Sequence, residues 1–375
     1  MIDYLLKAGY EVDAFFRTGK DFIENHTTNV YLEKLVARGL NFFIVEETHL
    51  LRNYKLGLDF VKAAHCYDLC AETVRKHKTL IDSATGCIST DMGWMLALAE
   101  TDKKKILSIL GDPMHSKLRY VSADRISAKI LKWARIISMF NLYPRLKPCL
   151  KNKNLITGIF SPHHAKEIRR GGIDCKDVPF STPVPSKIKT NYDINPAELV
   201  LLHVGNLLTT ASTSFIKASF QDVLAQMGKL PFKICFRFVG RHLEGLDKLT
   251  VPSNVTVERV GYLNETEIVE EYVNADIFYA PIEYPIGTRT RIMTALSYGL
   301  PIIATEANVR DSMPGVDLQR DLFVVNKTRS VVDVLKFVHS NQAVLKDVGQ
   351  CARKAWERNY NPDVNMPKLM RILES

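Results

Sequence analysis

The chain lacks most of the features that assign a protein quickly. It has no Cys-x-x-Cys pair, no Asp-x-Asp motif, and no fixed-period repeat or low-complexity tract. Its seven cysteines, at 66, 70, 87, 149, 175, 235 and 351, are odd in number and scattered. That pattern argues against a disulfide framework and a structural zinc site, and it suits a reducing cytoplasm. No apolar run comes near the roughly 18 to 20 residues that span a bilayer, and no secretory signal follows Met1. Neither a membrane-spanning nor a secreted protein is expected.

What is present fits a large folded chain. Its 375 residues are 46% hydrophobic and 24% charged, enough for a sizeable core and two domains. The net charge of +9 is unevenly spread, because residues 101 to 170 hold ten Lys and six Arg against three Asp and one Glu. Such a patch can meet nucleic acid, an anionic membrane or a phosphorylated substrate, or can simply be a solvated basic face. Nucleic acid is not expected, since the stacking platforms and short basic-aromatic modules of that task are missing.

Short β-rich runs alternate with helical patterns throughout, which predicts parallel sheets covered by helices. Strands are expected at 11–16, 41–47, 86–90, 105–111 and 155–161. Residues 176 to 197 contain four prolines without a clear period and read as a linker. The alternation then restarts with strands at 199–206, 232–241, 254–262, 276–281 and 321–325, and another in "PIIAT". A helix is expected over 212–227, another over "ETEIVEEYVNA", and an amphipathic helical tail from about residue 341. The boundaries implied are a first domain over 1–185, a second over 195–345, and terminal helices over 346–375 that cross back to the first. At the amino end, Met1 opens on a helix, "MIDYLLKAG", that feeds a strand, "YEVDAFF". The buried strand and glycine turn that usually begin such a domain are not there, so its first strand is expected to be missing.

The stretch "IEYPIGTRTRIMTALSYGLPIIATE", residues 282–306, carries the chemistry. Gly287 allows a tight turn, and Thr288 is the expected N-cap of a helix running to Tyr298. Gly299 stops that helix and Pro301 prevents its continuation. Ile292, Ala295, Leu296 and Gly299 form the face expected on the sheet, and Arg291, Thr294 and Tyr298 form another stripe. A helix amino end at the carboxyl edge of a parallel sheet presents N–H groups and partial positive charge to a ligand. With Arg289 and Arg291 added, this is a seat for a diphosphate.

The segment "ADIFYAPIEYPIGTRTRIMTALSYGLPIIAT" resembles the carboxyl-domain signature of GT-B glycosyltransferases, in particular the family 4-type enzymes that use nucleotide-sugar donors. "LLHVGN", "FRFVGR" and "VERVGYLNETEIVEEYVNAD" fit the same order. The resemblance is good over 195–345 and covers the first half only through its alternation. It implies two Rossmann-like α/β/α domains facing across a cleft. By position, Arg291 matches a diphosphate-binding cation, and Glu283 matches the first glutamate of a paired motif, near the donor sugar. The turn Pro285-Ile286-Gly287-Thr288 would offer backbone N–H groups from its three non-proline residues, and Gly261, Tyr262 and Leu263 would hold the base. Gly205, Asn206, Gly240 and Arg241 would line the nucleotide pocket, with Arg289 and Thr294 beside it. Three departures stand out. Thr294 replaces the second glutamate, Asn206 follows Gly205 where a basic residue is usual, and the next lysine is Lys217. The resemblance implies a UDP- or GDP-type sugar donor, no further cofactor, and retention at the anomeric carbon. The missing Asp-x-Asp implies that no metal bridges the diphosphate.

The acceptor, a glycan or lipid-linked sugar, would bind the first domain. Asp112 is the candidate general base there, with Asp91, His115, Ser161 and His163 as other strand-end candidates. Residues 127–153 alternate Lys129, Lys132 and Arg135 with Ile130, Trp133, Ile136, Ile137 and Phe140. They read either as a basic amphipathic helix on an anionic inner membrane face or as a packing helix with snorkelling lysines. The expected function is a cytoplasmic or peripheral glycosyltransferase in surface-polysaccharide or glycolipid assembly. The alternative is an inactive homologue that binds nucleotide-sugar or glycan and regulates a partner.

Overall fold

The computed structural model describes residues 1–18, 30–46, 59–90, 92–103, 105–110, 149, 151–170, 174–195, 197–205, 220–280, 288–310 and 312–375. In the first half, among these residues, the order is α1 (Ile2–Lys7), β1 (Val12–Thr18), α2 (Val30–Val36), β2 (Leu40–Glu46), α3 (Asp59–Lys76), α4 (Lys78–Ser83), β3 (Cys87–Ser89), α5 (Met92–Ala99), β4 (Ile106–Leu110), β5 (Leu155–Ile159), α6 (Pro162–Arg170) and β6 (Lys176–Asp177). The strands are parallel but lie in two pieces, β1-β2 and β3-β4-β5-β6. One continuous amino-terminal sheet is therefore not what the described residues form.

Period-two patterning decides the faces of the smaller piece. Ala14, Phe16 and Phe42 pack with Leu32 and Leu35 of α2 and with Ile2 and Leu6 of α1. Phe15 and Phe43, paired across the strands, point the other way and stack at 4.8 Å. His77 meets both rings and Trp94 of α5 meets Phe15, so the helical layer after β2 covers this face.

The second half runs β7 (Glu198–Val204), α7 (Gln221–Met227), β8 (Lys233–Val239), β9 (Val255–Gly261), α8 (Glu265–Asn274), β10 (Ile277–Ala280), α9 (Thr290–Tyr298), β11 (Ile302–Thr305), α10 (Glu306–Val309), β12 (Phe323–Val325), α11 (Val331–Ser340), α12 (Ala343–Asn359) and α13 (Pro362–Glu374). Its six strands are all parallel in the order β12-β11-β10-β7-β8-β9. The order reverses beside β7, and such a switch point opens a ligand crevice at the strands' carboxyl ends. Two cores flank the sheet. Phe220, Phe236, Phe238 and Leu335 lie in one, and Phe278, Leu296, Ile302 and Trp356 in the other.

Polar groups fix the register of this sheet. Asp276 sits just before β10, where its buried carboxylate accepts the Val200 N–H of β7 at 2.8 Å. Arg237 of β8 makes a forked pair with Glu271 of α8, at 2.9 and 2.7 Å, and also pairs with Glu258 of β9. The expected linker holds β6 at its start and is bound down along its length. Trp356 Nε1 donates to Thr182 Oγ1 at 2.7 Å, Asn365 Nδ2 to the Phe180 carbonyl at 2.8 Å, and Tyr192 OH to the Gly299 carbonyl at 3.0 Å. Helix α13 then reaches the first half, where Leu369 and Leu373 pack on Leu107 and Ile109 of β4.

Trp356 is fully buried and lies under the Arg353 guanidinium at 4.5 Å. Replacing Trp356 with Phe removes the indole donor and leaves Thr182 Oγ1 unpaired, which should destabilise the chain by about 1–3 kcal/mol. Replacement with Ala should cost about 3–5 kcal/mol. Urea denaturation midpoints measure both, and a Phe variant as stable as the wild type would remove the hydrogen bond from the account.

Candidate functional site

Three glycines line the carboxyl edge of the second sheet. Gly205, Gly240 and Gly261 end β7, β8 and β9, all with positive φ, at 151°, 142° and 82°. The Gly205 N–H donates to the Val239 carbonyl at 2.8 Å, and the Gly240 N–H to the Gly261 carbonyl at 2.7 Å. A Cβ on Gly240 would lie 2.2 Å from the Gly205 carbonyl oxygen. A Cβ on Gly205 would lie 2.3 Å from Arg291 Cζ. The backbone here is bare so that the Arg291 guanidinium can lie directly against it.

Helix α9 delivers that arginine, but it starts later than its sequence suggests. Arg289, not Thr288, is the N-cap, with no side-chain cap bond, and the helix begins at Thr290. Thr288 instead accepts the Thr290 N–H on its carbonyl at 2.9 Å. Gly299 closes the helix in the left-handed conformation, as its sequence predicts. The stripe of Arg291, Thr294 and Tyr298 is open over only part of its length. Arg291 and Thr294 are half-buried, but Tyr298 is buried and stacks on Tyr272 of α8 with ring centroids 4.5 Å apart. Arg289 is buried as well, and its Nε donates to the Asn308 carbonyl at 3.0 Å.

The electrostatics around Arg291 follow from this burial. Burial pulls its guanidinium below the ordinary arginine value, yet arginine remains charged at neutral pH. His203 of β7 lies within its field. Burial, with Arg291 as the second cause, pushes the imidazole down to about 4. The Nδ1 of His203 lies 2.9 Å from the Tyr279 carbonyl, so the ring donates from Nδ1 and is neutral. Burial also raises the phenols of Tyr272 and Tyr298. At the open end, Tyr262 is 71% exposed, with the Arg241 guanidinium 4.7 Å from its ring centroid. Leu263 beside it is half-buried against the core.

The structure thus brings Gly205, Gly240, Arg241, Gly261, Tyr262, Leu263 and Arg291 to one sheet edge, with Thr294 one turn along α9. Glu283, Pro285, Ile286, Gly287, Asn206, Lys217, Asp91, Asp112 and His115 lie outside the described residues, as does nearly all of 127–153. Ser161 and His163 stand at the start of α6 in the first half. The sequence reading missed His203, Tyr272 and Asn308. Two carried a signal: a histidine interrupting an apolar strand, and an asparagine just past one.

Residues 198–338, from β7 into α11, match the model of the family described as glycosyl transferases group 1. Sucrose-phosphate synthase from Thermosynechococcus elongatus superposes with a TM-score of 0.62 at 14% identity, over 97% of this chain and 99% of that one. HepE of Anabaena, solved in complex with UDP, has a TM-score of 0.62 at 11% identity, over 98% of this chain and 100% of its own. WaaG, described as a glycosyltransferase involved in lipopolysaccharide biosynthesis, has a TM-score of 0.58 at 14% identity, over 96% and 99%. No curated protein matches the chain. The chain has the GT-B fold over nearly its whole length, and residues 198–338 are similar to the group 1 glycosyl transferase family. Among the described residues, no helix is long and apolar enough to cross a membrane.

Gly240→Ala must push the β7 and β8 ends apart and should destabilise the protein by several kcal/mol, about 2–4. Differential scanning calorimetry reads the shift in Tm. A second expectation concerns acid. The folded pKa of His203 is depressed from 6.5 to about 4, so the stability it contributes is complete above pH 6.5. That stability falls as the pH drops towards 4, because the unfolded chain takes up the proton first. The loss should be about 3 kcal/mol in the wild type and absent from that window in His203→Asn. Urea titrations at both ends of the window compare the two, and equal pH slopes would show that His203 is not buried neutral.

Proposed function

We propose that this protein transfers a sugar from a nucleotide-diphosphate donor to a glycan or lipid-linked acceptor, retaining configuration and without a metal, in surface-polysaccharide or glycolipid assembly. The observation that carries the reading is the Arg291 guanidinium lying on Gly205 at the switch point of the sheet. Fixed positive charge and bare backbone there suit two phosphates, and the amino end of α9 adds its dipole. Arg241 and Tyr262 offer a face for the base, and Thr294 a hydroxyl for the ribose. Glu283 would face the donor sugar, and Gly287 with Thr288 would present backbone N–H groups. Asn206 would line the pocket beside Gly205. UDP bound to HepE supports a uridine donor, and Asp112 is the proposed general base on the acceptor side.

In this reading Arg291 stabilises the departing diphosphate while the acceptor oxygen attacks. The acceptor's attachment to lipid, together with the basic stretch 127–153, would hold the enzyme at the inner face of the membrane. The second reading, an inactive nucleotide-sugar or glycan binder, draws on Thr294, which cannot supply the carboxylate of the paired motif.

Calorimetric titration with UDP, GDP and their sugar conjugates tests the donor site. One nucleotide family should bind at micromolar Kd, and Arg291→Ala should weaken it by about 100-fold, the scale of a desolvated charge–phosphate contact. EDTA should leave binding and turnover unchanged. A well-folded protein that binds neither nucleotide would remove the donor site. Binding without transfer to any lipid-linked acceptor would favour the second reading.

A further inference from the structure

We propose that Tyr192 of the linker is a positioning residue for Arg291: it fixes the carboxyl end of α9, and through the helix it sets how the guanidinium lies on Gly205. That this tunes a diphosphate site rests on the donor reading above. The carbonyls that end α9 are all accounted for. Two are closed within the turn, where the Leu300 N–H donates to the Ala295 carbonyl at 3.2 Å and the Gly299 N–H to the Leu296 carbonyl at 3.0 Å. The next three are closed from outside. Arg353 Nη1 of α12 donates to the Ser297 carbonyl, the Lys189 N–H to the Tyr298 carbonyl at 2.8 Å, and the Tyr192 hydroxyl to the Gly299 carbonyl at 3.0 Å. The Lys189 carbonyl is a second, longer acceptor for that hydroxyl, at 3.2 Å. Burial raises the Tyr192 phenol, so it remains a donor. Lys189 Nζ also donates to the Val273 carbonyl at 3.2 Å, in the last turn of α8. Residues 189–192 therefore hold the carboxyl ends of both helices whose tyrosines stack.

The space around Tyr192 is cut to its ring. A Cβ on Gly349 of α12 would lie 2.3 Å from Tyr192 Cε1 and 2.5 Å from the Gly299 carbonyl oxygen. A phenylalanine would serve that packing, so the hydroxyl supplies the aimed bond to the last carbonyl. At its amino end α9 has no side-chain cap and is tied by Arg289 to the Asn308 carbonyl. A helix is stiff along its axis, and Arg291 lies about 12 Å from Gly299 at about 1.5 Å of rise per residue. A displacement at one end is therefore carried to the other. The guanidinium has little slack to absorb it, because Cζ lies 2.3 Å from where a Cβ of residue 205 would be.

The test compares full-length wild type with Tyr192→Phe, which removes the hydroxyl and keeps the ring, and Gly349→Ala, which drives a methyl into that ring. Gln221→Ala, which loses the paired bonds to Thr250 beside the other core, is the control. His203 stands two residues before Gly205, within the field of Arg291, and reports its position without ligand. In histidine-labelled NMR at neutral pH, the His203 ring resonances should move in Arg291→Ala, Tyr192→Phe and Gly349→Ala, and stay in place in Gln221→Ala. UDP affinity should fall by about fivefold in Tyr192→Phe, and by less than about twofold when the same change is made in Arg291→Ala. Unmoved His203 resonances in Tyr192→Phe overturn the proposal, as does an unchanged UDP affinity there or an equal loss in the Arg291→Ala background. Tyr192→Phe decides alone where Gly349→Ala does not fold. A wild type that binds no UDP defeats the uridine donor reading, and the His203 resonances then decide the positioning role.

Discussion

The architecture of the site depends on one close approach, the guanidinium of Arg291 against the Cα of Gly205. Any side chain at 205 would occupy the space where Cζ lies, and any side chain at 240 would strike the Gly205 carbonyl. The two glycines and the arginine are therefore a single constraint. It demands that β7 and β8 end level with each other, which Asp276 and Arg237 help secure at the other end and flank of the same strands. It also demands that α9 start where it does, because moving Arg291 by one residue rotates the guanidinium about 100° around the helix. The late start of α9 at Thr290, with Arg289 as N-cap, follows from this demand and from the anchoring of Arg289 on Asn308.

Burial turns that geometry into electrostatics. Arg291 sits over a strand end, and His203 of that strand, within its field, is held neutral. A charged imidazole there would repel the guanidinium, and the bond to the Tyr279 carbonyl fixes the ring as a donor. The stacked Tyr272 and Tyr298 rings close the far side of α9 and remove it from solvent. The charge of Arg291 thus works in a partly dry, rigid setting, where it is screened less than on an open surface.

Much of this fold was legible in the sequence, because period-two apolar runs and helical spacing state their own type. Every strand expected in the second half is present, and Gly299 ends its helix as read. The site was less legible, for physical reasons. Thr288 resembles an N-cap by residue type, yet cap choice is set by the chain path, and here a buried contact between residues 19 apart moved it. Tyr298 shares a helical stripe with Arg291, but α8 covers its end of the stripe, which no local pattern reports. The linker's prolines announced irregular structure correctly, while its anchoring on Trp356 and Asn365 depends on residues more than 170 positions away.

Thr294 can be understood in the same terms. It lies three residues after Arg291 on α9, the spacing at which a glutamate would face the guanidinium across one helical turn. A carboxylate there would pair with Arg291 and offset part of its charge. A threonine offers a hydroxyl and leaves the arginine's field undiminished from that side. In the resembled signature a basic residue follows the first glycine, and here the sequence has the uncharged Asn206. The two changes oppose each other in the proposed reading, one omitting a cation and the other omitting a carboxylate that would compete for Arg291. In the proposed reading the site keeps its attraction for a diphosphate while concentrating it on one arginine. That is why the bare backbone at Gly205 and Gly240 matters more here than the threonine's weaker hold on a ribose.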